Sequence, residues 1–276
     1  MTAFTLVAFH AHPDDESLLT GGTLARSSAE GHRVVLVVAT DGERGLAGAA
    51  DGTGPDLAQR RRAELAQAAA CLGVHRVVWL GYGDSGLRPD PADPTLFAHT
   101  DPRAAADRLA EVLREERADV LTVYDPNGGY GHPDHVQVHR VGSLAASLAG
   151  TPVVLEATVP AGAFRAVIAI LRRVGHALGS PLPFEDRPVF SPRARITHVV
   201  RVDAHLPAKR EAMKAHASQR RADGQVRVLD RMLRLPSPLF ALVFGREWFV
   251  EQHRPSGRRE GDVFASSRAA GQRSVA

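Results

Sequence analysis

Apolar runs of five to seven residues recur along the first 160 positions, and each is followed by a polar or Gly-rich stretch and then by helical periodicity. Runs that are apolar throughout are typical of strands buried on both faces, as in a parallel sheet. Repeated alternation of strand and helix predicts a doubly wound α/β fold. We therefore expect a Rossmann-like, mainly parallel sheet with helices on both faces. The predicted strands cover residues 5–9, 33–39, 76–80, 119–124 and 153–158. The predicted helices cover residues 18–30, 57–72, 103–117, 136–148, 161–178 and 207–220.

The C-terminal part of the chain follows a less regular pattern. Segment 161–178 is apolar with three arginines, which predicts an ordinary packed helix, with a shield over a site or an oligomer contact as alternatives. Alternation predicts an edge strand at 196–202, and a last strand is expected at 247–250. Polar sequence predicts a disordered tail at 254–276 and leaves one domain over 1–253.

Composition narrows the functional classes. The chain has 276 residues, and 44% hydrophobic residues can fill a sizeable core. The formal net charge is only +3 and aromatic residues make up 5%, so nucleic-acid binding is not expected. We predict no signal peptide and no membrane span, because no apolar run approaches roughly 20 residues. The single cysteine, Cys71, is predicted to be a buried core thiol, and the expected location is the cytoplasm.

Two clusters of imidazoles and carboxylates follow predicted strands. The first, residues 10–16, reads His-Ala-His-Pro-Asp-Asp-Glu, and the second, residues 132–135, reads His-Pro-Asp-His. Acidic residues at a helix start suit the helix dipole, which accounts for the acids of the first cluster. That account leaves His12 and the second cluster unexplained. Because ligands bind at the carboxyl ends of strands in such sheets, the two clusters predict a shared metal site.

The donor types in these clusters suit catalytic zinc, which takes three protein ligands and leaves a position open. His12, His135 and one of Asp14 and Asp15 supply that set. Adjacent residues in an extended loop point in different directions, so the other aspartate is expected to face water as a general base.

The second cluster also contains a candidate acid. His132 remains as an acid or as a donor to a developing oxyanion, with Asp134 available to orient and charge it. A metal, a base and an acid together predict hydrolysis of an acyl bond.

Other polar residues lie near the same predicted edge. Arg61 falls within the apolar stripe of its helix, so it is expected to point inward, toward a structural partner such as Glu64 or toward a substrate. Glu43 follows the second strand in a Gly-rich loop that is either flexible or the wall of a pocket, and its carboxylate favours the pocket. Asp84 follows the third strand, where it caps a turn or binds a substrate hydroxyl. His216, alone in its predicted helix, is interpreted as structural.

Residues 12–16, together with residues 128–135, resemble the two signature motifs of the PIG-L or LmbE-like deacetylase family. Within the family, the likeness is greatest to bacterial deacetylases of the mycothiol pathway. The resemblance covers the first half of the chain well and the rest loosely, through segments such as 215–219. It implies a zinc-dependent hydrolase that removes an acetyl group from an N-acetylglucosamine-type conjugate and releases acetate and a free amine.

The resemblance also implies roles for single residues. It makes His12, Asp15 and His135 the metal ligands and Asp14 the general base. It makes His132, supported by Asp134, the acid or oxyanion stabiliser, and Tyr130 an oxyanion contact from a mobile loop. Substrate contacts are implied for Arg61, Glu43 and Asp84. Segment 87–100 is short and Pro-rich beside the mycothiol enzymes, and segment 161–192 follows no family pattern.

The same residues accommodate other metals and other functions. Oxygen and imidazole ligands also accept Fe²⁺, cobalt or manganese. A homo-oligomer, a hexamer or a smaller assembly, is compatible with the resemblance. The alternative functions are an amidase acting on S-conjugated thiols, a deacetylase of a natural-product glycoside, and a sugar-binding module that retains a metal without turnover.

Overall fold

The structure, a computed structural model, describes residues 3–45, 54–165, 169, 190–222, 225–226 and 228–273. Its strands are β1 Thr5–His10, β2 Arg33–Thr40, β3 Arg76–Tyr82, β4 Val120–Tyr124, β5 Val153–Thr158, β6 His198–Arg201, β7 Arg221–Ala222, β8 Gln225–Val226 and β9 Arg246–Glu251. Its helices are α1 Asp15–Leu19, α2 Gly21–Ala29, α3 Pro55–Cys71, α4 Pro102–Glu115, α5 Pro133–Ala149, α6 Leu206–Ala215, α7 Val228–Leu233, α8 Ser237–Phe244 and α9 Ala265–Arg273.

A seven-stranded sheet organises the part of the chain that the structure describes, in the order β3-β2-β1-β4-β5-β9-β6. Strands β1 to β5 are parallel, whereas β9 runs antiparallel to both β5 and β6. The predicted mainly parallel sheet and the predicted edge strand, β6, are therefore confirmed. The chain builds outward from β1 to β3 and then returns to β4 on the other side of β1. Strand order reverses between β1 and β4, which is where such sheets bind ligands.

Alternate residues of the strands fill two separate cores. Val7 and Phe9 of β1 belong to the core under α4 and α5, and Leu6 and Ala8 belong to the opposite core, which also contains Leu24 of α2. This alternation follows from the two-residue period of a strand. Each such side chain is fully buried, and full burial of a leucine or phenylalanine contributes about 1.5–3 kcal/mol. Helices therefore cover both faces of the sheet.

Strand β9 connects the C-terminal half to the first helices. Its Glu247 accepts hydrogen bonds from the backbone amides of Gly22 (2.8 Å) and Thr23 (2.7 Å) at the start of α2. Lys209 of α6 donates to the same carboxylate (2.5 Å) and to the carbonyl of Leu18 (2.9 Å). A buried ion pair is tolerated only when hydrogen bonds satisfy it in this way. The network fixes α1 and α2, which follow the first histidine cluster.

Three predicted helices have clearly different bounds in the structure. The helix expected at 207–220 ends at Ala215 as α6, and His216 lies after it. The helix expected at 18–30 is divided at Thr20 into α1 and α2, and α1 begins already at Asp15. Helix α5 begins at Pro133 rather than at Val136, because proline is well suited to the first helical position. The second histidine cluster therefore lies at a helix start and is held more rigidly than a loop would hold it.

The predicted disordered tail is wrong for its described residues, 254–273. Val263 and Phe264 are buried, and Phe264 stacks on Phe4 with ring centroids 5.2 Å apart. Glu260 exchanges backbone hydrogen bonds with Thr197 (2.9 Å) and Val199 (2.8 Å) before α9 begins. Two apolar residues within a polar stretch are thus enough to anchor the segment. The prediction of one domain over 1–253 stays a prediction.

Other expectations concern single residues and segments. Cys71, predicted to be buried, is exposed because it occupies the last position of α3. Residues 161–165 are helical, while most of segment 161–178 and most of 161–192 lie outside the described residues. Each helix that the structure describes is too short or too polar to span a bilayer.

Candidate active site

The predicted site residues lie at one end of the sheet, where strands β1 to β4 reach their carboxyl ends. The loop after β1 carries His12, Asp14 and Asp15, the loop after β2 carries Glu43, the loop after β3 carries Asp84, and the segment after β4 carries Tyr130, His132, Asp134 and His135. Their position coincides with the reversal of strand order between β1 and β4.

Asp15 lies between two imidazoles. Its Oδ2 accepts a hydrogen bond from the His12 backbone amide (3.1 Å) and lies 3.2 Å from His12 Nδ1 and 3.3 Å from His135 Nε2. Two ligands held about 2.0–2.1 Å from a tetrahedral ion are separated by roughly 3.3 Å. Two donor separations in this set, from Asp15 to His12 and from Asp15 to His135, are therefore compatible with a shared divalent ion.

His135 supports the same conclusion. It is buried, and its ring stacks on Tyr124 with centroids 4.1 Å apart and planes inclined by 6°. Neither ring nitrogen makes a hydrogen bond of good geometry among the described residues, although Nε2 lies 3.3 Å from Asp15 Oδ2. A buried polar group left unsatisfied costs about 1–3 kcal/mol. Coordination of a metal by His135 would remove that cost, and the stacking already sets the ring orientation.

His12 is surrounded by carboxylates. Its Nε2 lies 3.1 Å from Asp134 Oδ2 and 3.3 Å from Asp84 Oδ1. Burial alone would lower the pKa of His12, but the hydrogen bonds to Asp134, Asp15 and Asp84 raise it well above its ordinary value. The Asp134 carboxylate therefore contacts His12, and toward His132 it acts through its charge rather than through a hydrogen bond.

The histidines offer more than one set of donors. One nitrogen each from His12, His132 and His135 lies within 4.8 Å of the others, and a second set combines His12 and His132 with Asp84 and Asp134. Both sets share His12 and lie at the same end of the sheet. Neither set contains Asp15, so the two sets overlap the predicted ligands only at His12 and His135.

His132 occupies the N-cap position of α5. Its Nδ1 accepts a hydrogen bond from the backbone amide of Asp134 (3.2 Å), so that nitrogen carries no proton. Burial, together with the charge of nearby His12, lowers the pKa of His132 to about 3. A neutral ring with an acceptor at Nδ1 carries its proton on Nε2. His132 is thus arranged as a neutral hydrogen-bond donor.

Arg61 and Asp14 face each other across the site. Arg61 is 3% exposed, which confirms that it points inward. Its guanidinium donates to the carbonyls of Gly42 (2.7 Å) and Pro13 and lies 3.3 Å from Asp14 Oδ2. Desolvation raises the pKa of Asp14 to about 6, although the Arg61 charge opposes that shift. The partner of Arg61 is therefore Asp14 and two carbonyls rather than Glu64.

Glu43 and Asp84 bind backbone amides. Glu43 Oε1 accepts from the Asp84 amide (2.8 Å), while Asp84 accepts from the amides of Gly86 (2.8 Å) and Arg44 (3.0 Å). Burial would raise the pKa of Asp84, but contact with His12 and these amide bonds hold it well below its ordinary value. The two carboxylates connect the loops after β2 and β3, and their contact with a substrate stays a prediction.

Tyr130 lies at the surface over the histidines. It is 42% exposed, and its ring centroid is 6.1 Å from that of His132 and 5.2 Å from that of His135. The buried carboxylate of Asp125 anchors its loop by accepting the amide of Gly129 (3.1 Å). Tyr130 can therefore reach a ligand over the site from an anchored loop.

One buried contact was not predicted. His216, interpreted as a lone structural histidine, has its Nε2 2.7 Å from Glu16 Oε1, and both side chains are fully buried. The two residues are 200 positions apart, so no periodicity could pair them. The signal available in the sequence was the resemblance of segment 215–219 to the same family as the first motif.

Comparisons with known proteins show which family this chain belongs to. The family model described as PIG-L, GlcNAc-PI de-N-acetylase, matches residues 7–146. A protein of Thermobifida fusca named 1D-myo-inositol 2-acetamido-2-deoxy-alpha-D-glucopyranoside deacetylase is 36% identical over 287 residues, which cover 94% of this chain and 98% of the relative. A protein of the same name from Streptomyces griseus is 38% identical, and the alignment covers 96% of this chain and 89% of the relative.

A solved structure shares the fold. N,N'-diacetylchitobiose deacetylase from Pyrococcus horikoshii, in complex with an inhibitor, matches with a TM-score of 0.58 and 23% sequence identity. The match covers 91% of this chain and 84% of that one. At this identity the likeness shows the fold alone.

Proposed function

This chain belongs to the PIG-L family, and we propose that it is a metal-dependent deacetylase of an N-acetylglucosamine-type conjugate. The observation that carries the proposal is the position of Asp15 between His12 and His135, with Asp14 next to it in the same loop. The two relatives described above suggest the first substrate to test, 1D-myo-inositol 2-acetamido-2-deoxy-alpha-D-glucopyranoside.

His12, Asp15 and His135 are the proposed metal ligands. Asp15 Oδ2 lies 3.2 Å from His12 Nδ1 and 3.3 Å from His135 Nε2, which supports a shared ion, and the ring nitrogens of His135 make no hydrogen bond of good geometry among the described residues. When bound, zinc would acidify a water molecule and polarise the acyl oxygen of the substrate. Fe²⁺ would use the same donors, so zinc is the proposed and not the established ion.

Asp14 is the proposed general base. Its side chain is 22% exposed, so a substrate can reach it, and Arg61 holds one of its oxygens at 3.3 Å. The carboxylate accepts a proton from the attacking water as the water oxygen bonds to the acyl carbon, and the protonated carboxyl then delivers that proton to the departing nitrogen as the C–N bond breaks. A base of this kind works best when it remains deprotonated near the working pH.

His132 and Tyr130 are proposed to stabilise the oxyanion. Because His132 Nδ1 accepts a backbone amide, its Nε2 proton is available for the acyl oxygen. Of the two roles predicted for His132, this geometry favours the oxyanion donor over the acid. Tyr130 adds a hydroxyl from the exposed side, and Asp134 supports the site through His12. Such donors lower the barrier because they are oriented before the charge develops.

The sugar is proposed to contact Arg61, Glu43 and Asp84. These residues line the loops after β2 and β3 and the adjacent face of α3, beside Asp14 and His12. Carboxylates and a guanidinium suit the hydroxyls of an amino sugar. The exposed Cys71 suits a reducing compartment, and we include a cytoplasmic location and one domain over 1–253 in the proposal.

An acetate-release assay tests this function. Purified protein loaded with zinc is incubated with the inositol conjugate, with free N-acetylglucosamine, with an S-conjugated thiol amide and with an acetylated glycopeptide, and acetate and free amine are both measured. We expect acetate and amine in equal amounts from the inositol conjugate. Amide cleavage without acetate would favour the amidase alternative. Binding without turnover of any N-acetylglucosaminyl compound would refute the proposal and favour a sugar-binding module.

A further inference from the structure

The backbone of Asp14 adopts a conformation that non-glycine residues seldom reach. Its φ is 102° and its ψ is −31°, at the N-cap of α1. Conformations of this kind cost about 1–3 kcal/mol and persist only where neighbouring groups hold them. The position of the proposed base therefore depends on the contacts of the adjacent peptide.

The peptide unit between Pro13 and Asp14 is held at both of its polar groups. Arg61 donates to the Pro13 carbonyl, and the Asp14 amide donates to Glu16 Oε2 (3.0 Å). Glutamates at the third helical position commonly bond an N-cap amide in this way, but Glu16 is at the second position of α1. The orientation of the Glu16 carboxylate thus needs another support.

His216 supplies that support. Its Nε2 donates to Glu16 Oε1 (2.7 Å), and the Ser17 hydroxyl donates to the same oxygen (2.5 Å). Burial would lower the pKa of His216, but the charge of Glu16 raises it. His216 therefore binds one oxygen of the Glu16 carboxylate, and the Asp14 amide binds the other. The Glu16 carboxylate thus links the C-terminal half of the chain to the proposed base.

Helix α3 holds both ends of this arrangement. Glu64, one turn after Arg61, accepts hydrogen bonds from the amide (2.8 Å) and hydroxyl (2.7 Å) of Ser218, two residues after His216. The residue that holds the Pro13 carbonyl and the one that orients Glu16 are therefore fixed to the same helix.

We propose that His216 is a positioning residue: through Glu16 it fixes the peptide before Asp14 and so aims the Asp14 carboxylate at the reacting group. This inference rests on the proposed function, in which Asp14 is the base. His216 makes no hydrogen bond to the proposed metal ligands among the described residues, and Glu16 joins it to the Asp14 amide.

Two substitutions of similar size separate positioning from packing. In His216→Gln, the side-chain amide nitrogen can occupy the position of His216 Nε2. In His216→Asn, the shorter side chain places it near the position of Nδ1. We expect His216→Asn to lower kcat about 10- to 100-fold with KM within twofold, because small errors of aim are costly in catalysis. His216→Gln should stay within about threefold of wild type, and both variants should retain the wild-type metal content.

A cycle with Asp14→Asn identifies the path of the effect. If His216 acts through the base, His216→Asn should change the residual kcat of Asp14→Asn less than twofold. In the metal-free protein, amide hydrogen exchange at Asp14, followed by NMR, should be faster in His216→Asn than in wild type and near wild type in His216→Gln.

Three results would overturn the inference: equal kcat losses in both variants, full additivity with Asp14→Asn, or unchanged exchange at the Asp14 amide in His216→Asn. Failure of the proposed function is distinguishable from these. Absence of acetate release would refute the function, while the exchange measurement would still test whether His216 fixes the peptide.

Discussion

Replacing Arg61 by lysine tests how Asp14 is held. Arg61 makes three separated contacts, with the carbonyls of Gly42 and Pro13 and with Asp14 Oδ2. A lysine ammonium is a single point charge and cannot reproduce the planar fork of a guanidinium. Arg61→Lys should therefore lose about two of the three contacts while it keeps the positive charge.

The magnitude follows from these contacts. A hydrogen bond to a charged group contributes about 1.5–3 kcal/mol, so we expect Arg61→Lys to lower the free energy of unfolding by about 3 kcal/mol. Because the Pro13–Asp14 peptide would lose one of its two supports, kcat should fall about 100-fold, and KM should rise as well because Arg61 is also a proposed sugar contact. Urea unfolding and initial rates of acetate release measure the two quantities.

Arg62→Lys is the matched control for this prediction. Arg62 is the next residue of the same helix, and its exposed guanidinium pairs with Asp41 through two bonds of 2.8 and 2.7 Å. Exposed pairs contribute about 0–1 kcal/mol, so this variant should retain stability and kcat. A raised KM with unchanged kcat in Arg61→Lys, or equal losses in the two variants, would refute the reasoning.

Three further predictions concern residues around the site and far from it. Tyr130→Phe should lower kcat about 100-fold without changing Tm, because the hydroxyl of this half-exposed residue is proposed to bind the oxyanion; an unchanged kcat would remove that role. Phe264→Ala should lower the free energy of unfolding by about 3–5 kcal/mol in urea, and a loss below 1 kcal/mol would mean that the segment after residue 254 is not anchored. Glu116→Gln should cost roughly 1 kcal/mol at pH 7, since hydrogen bonds from Arg33 lower the pKa of Glu116 and thereby stabilise the fold above the unfolded-state pKa. Urea titrations should show that the difference in free energy of unfolding between wild type and Glu116→Gln narrows as the pH falls from about 5 toward 3. A constant difference would contradict that assignment.

The regular part of the fold was predictable because its strands are apolar throughout. Strands β1 to β5 follow the predicted runs closely, and the two histidine clusters that come after β1 and β4 predicted where the candidate site lies. Arg61 was predictable for a similar reason, since a charge within an apolar stripe must find a buried partner. Periodicity was therefore sufficient wherever local pattern and tertiary packing agree.

The remaining features depend on contacts that no local pattern contains. His12 contacts Asp84 and Asp134, which follow two other strands, and Glu16 contacts His216 from the far end of the chain. The ordered segment near Phe264 was missed because two apolar residues are too few to form a period. These contacts arise only when the sheet and helices have assembled.

The metal content of His135→Ala compared with that of Asp14→Ala tests the central claim most directly. If His12, Asp15 and His135 hold the ion and Asp14 serves as the base, Asp14→Ala should retain about one metal per chain while it releases no measurable acetate. His135→Ala should lose most of its metal under the same purification. Full activity in Asp14→Ala, or an undiminished metal-to-protein ratio in His135→Ala, would contradict the account.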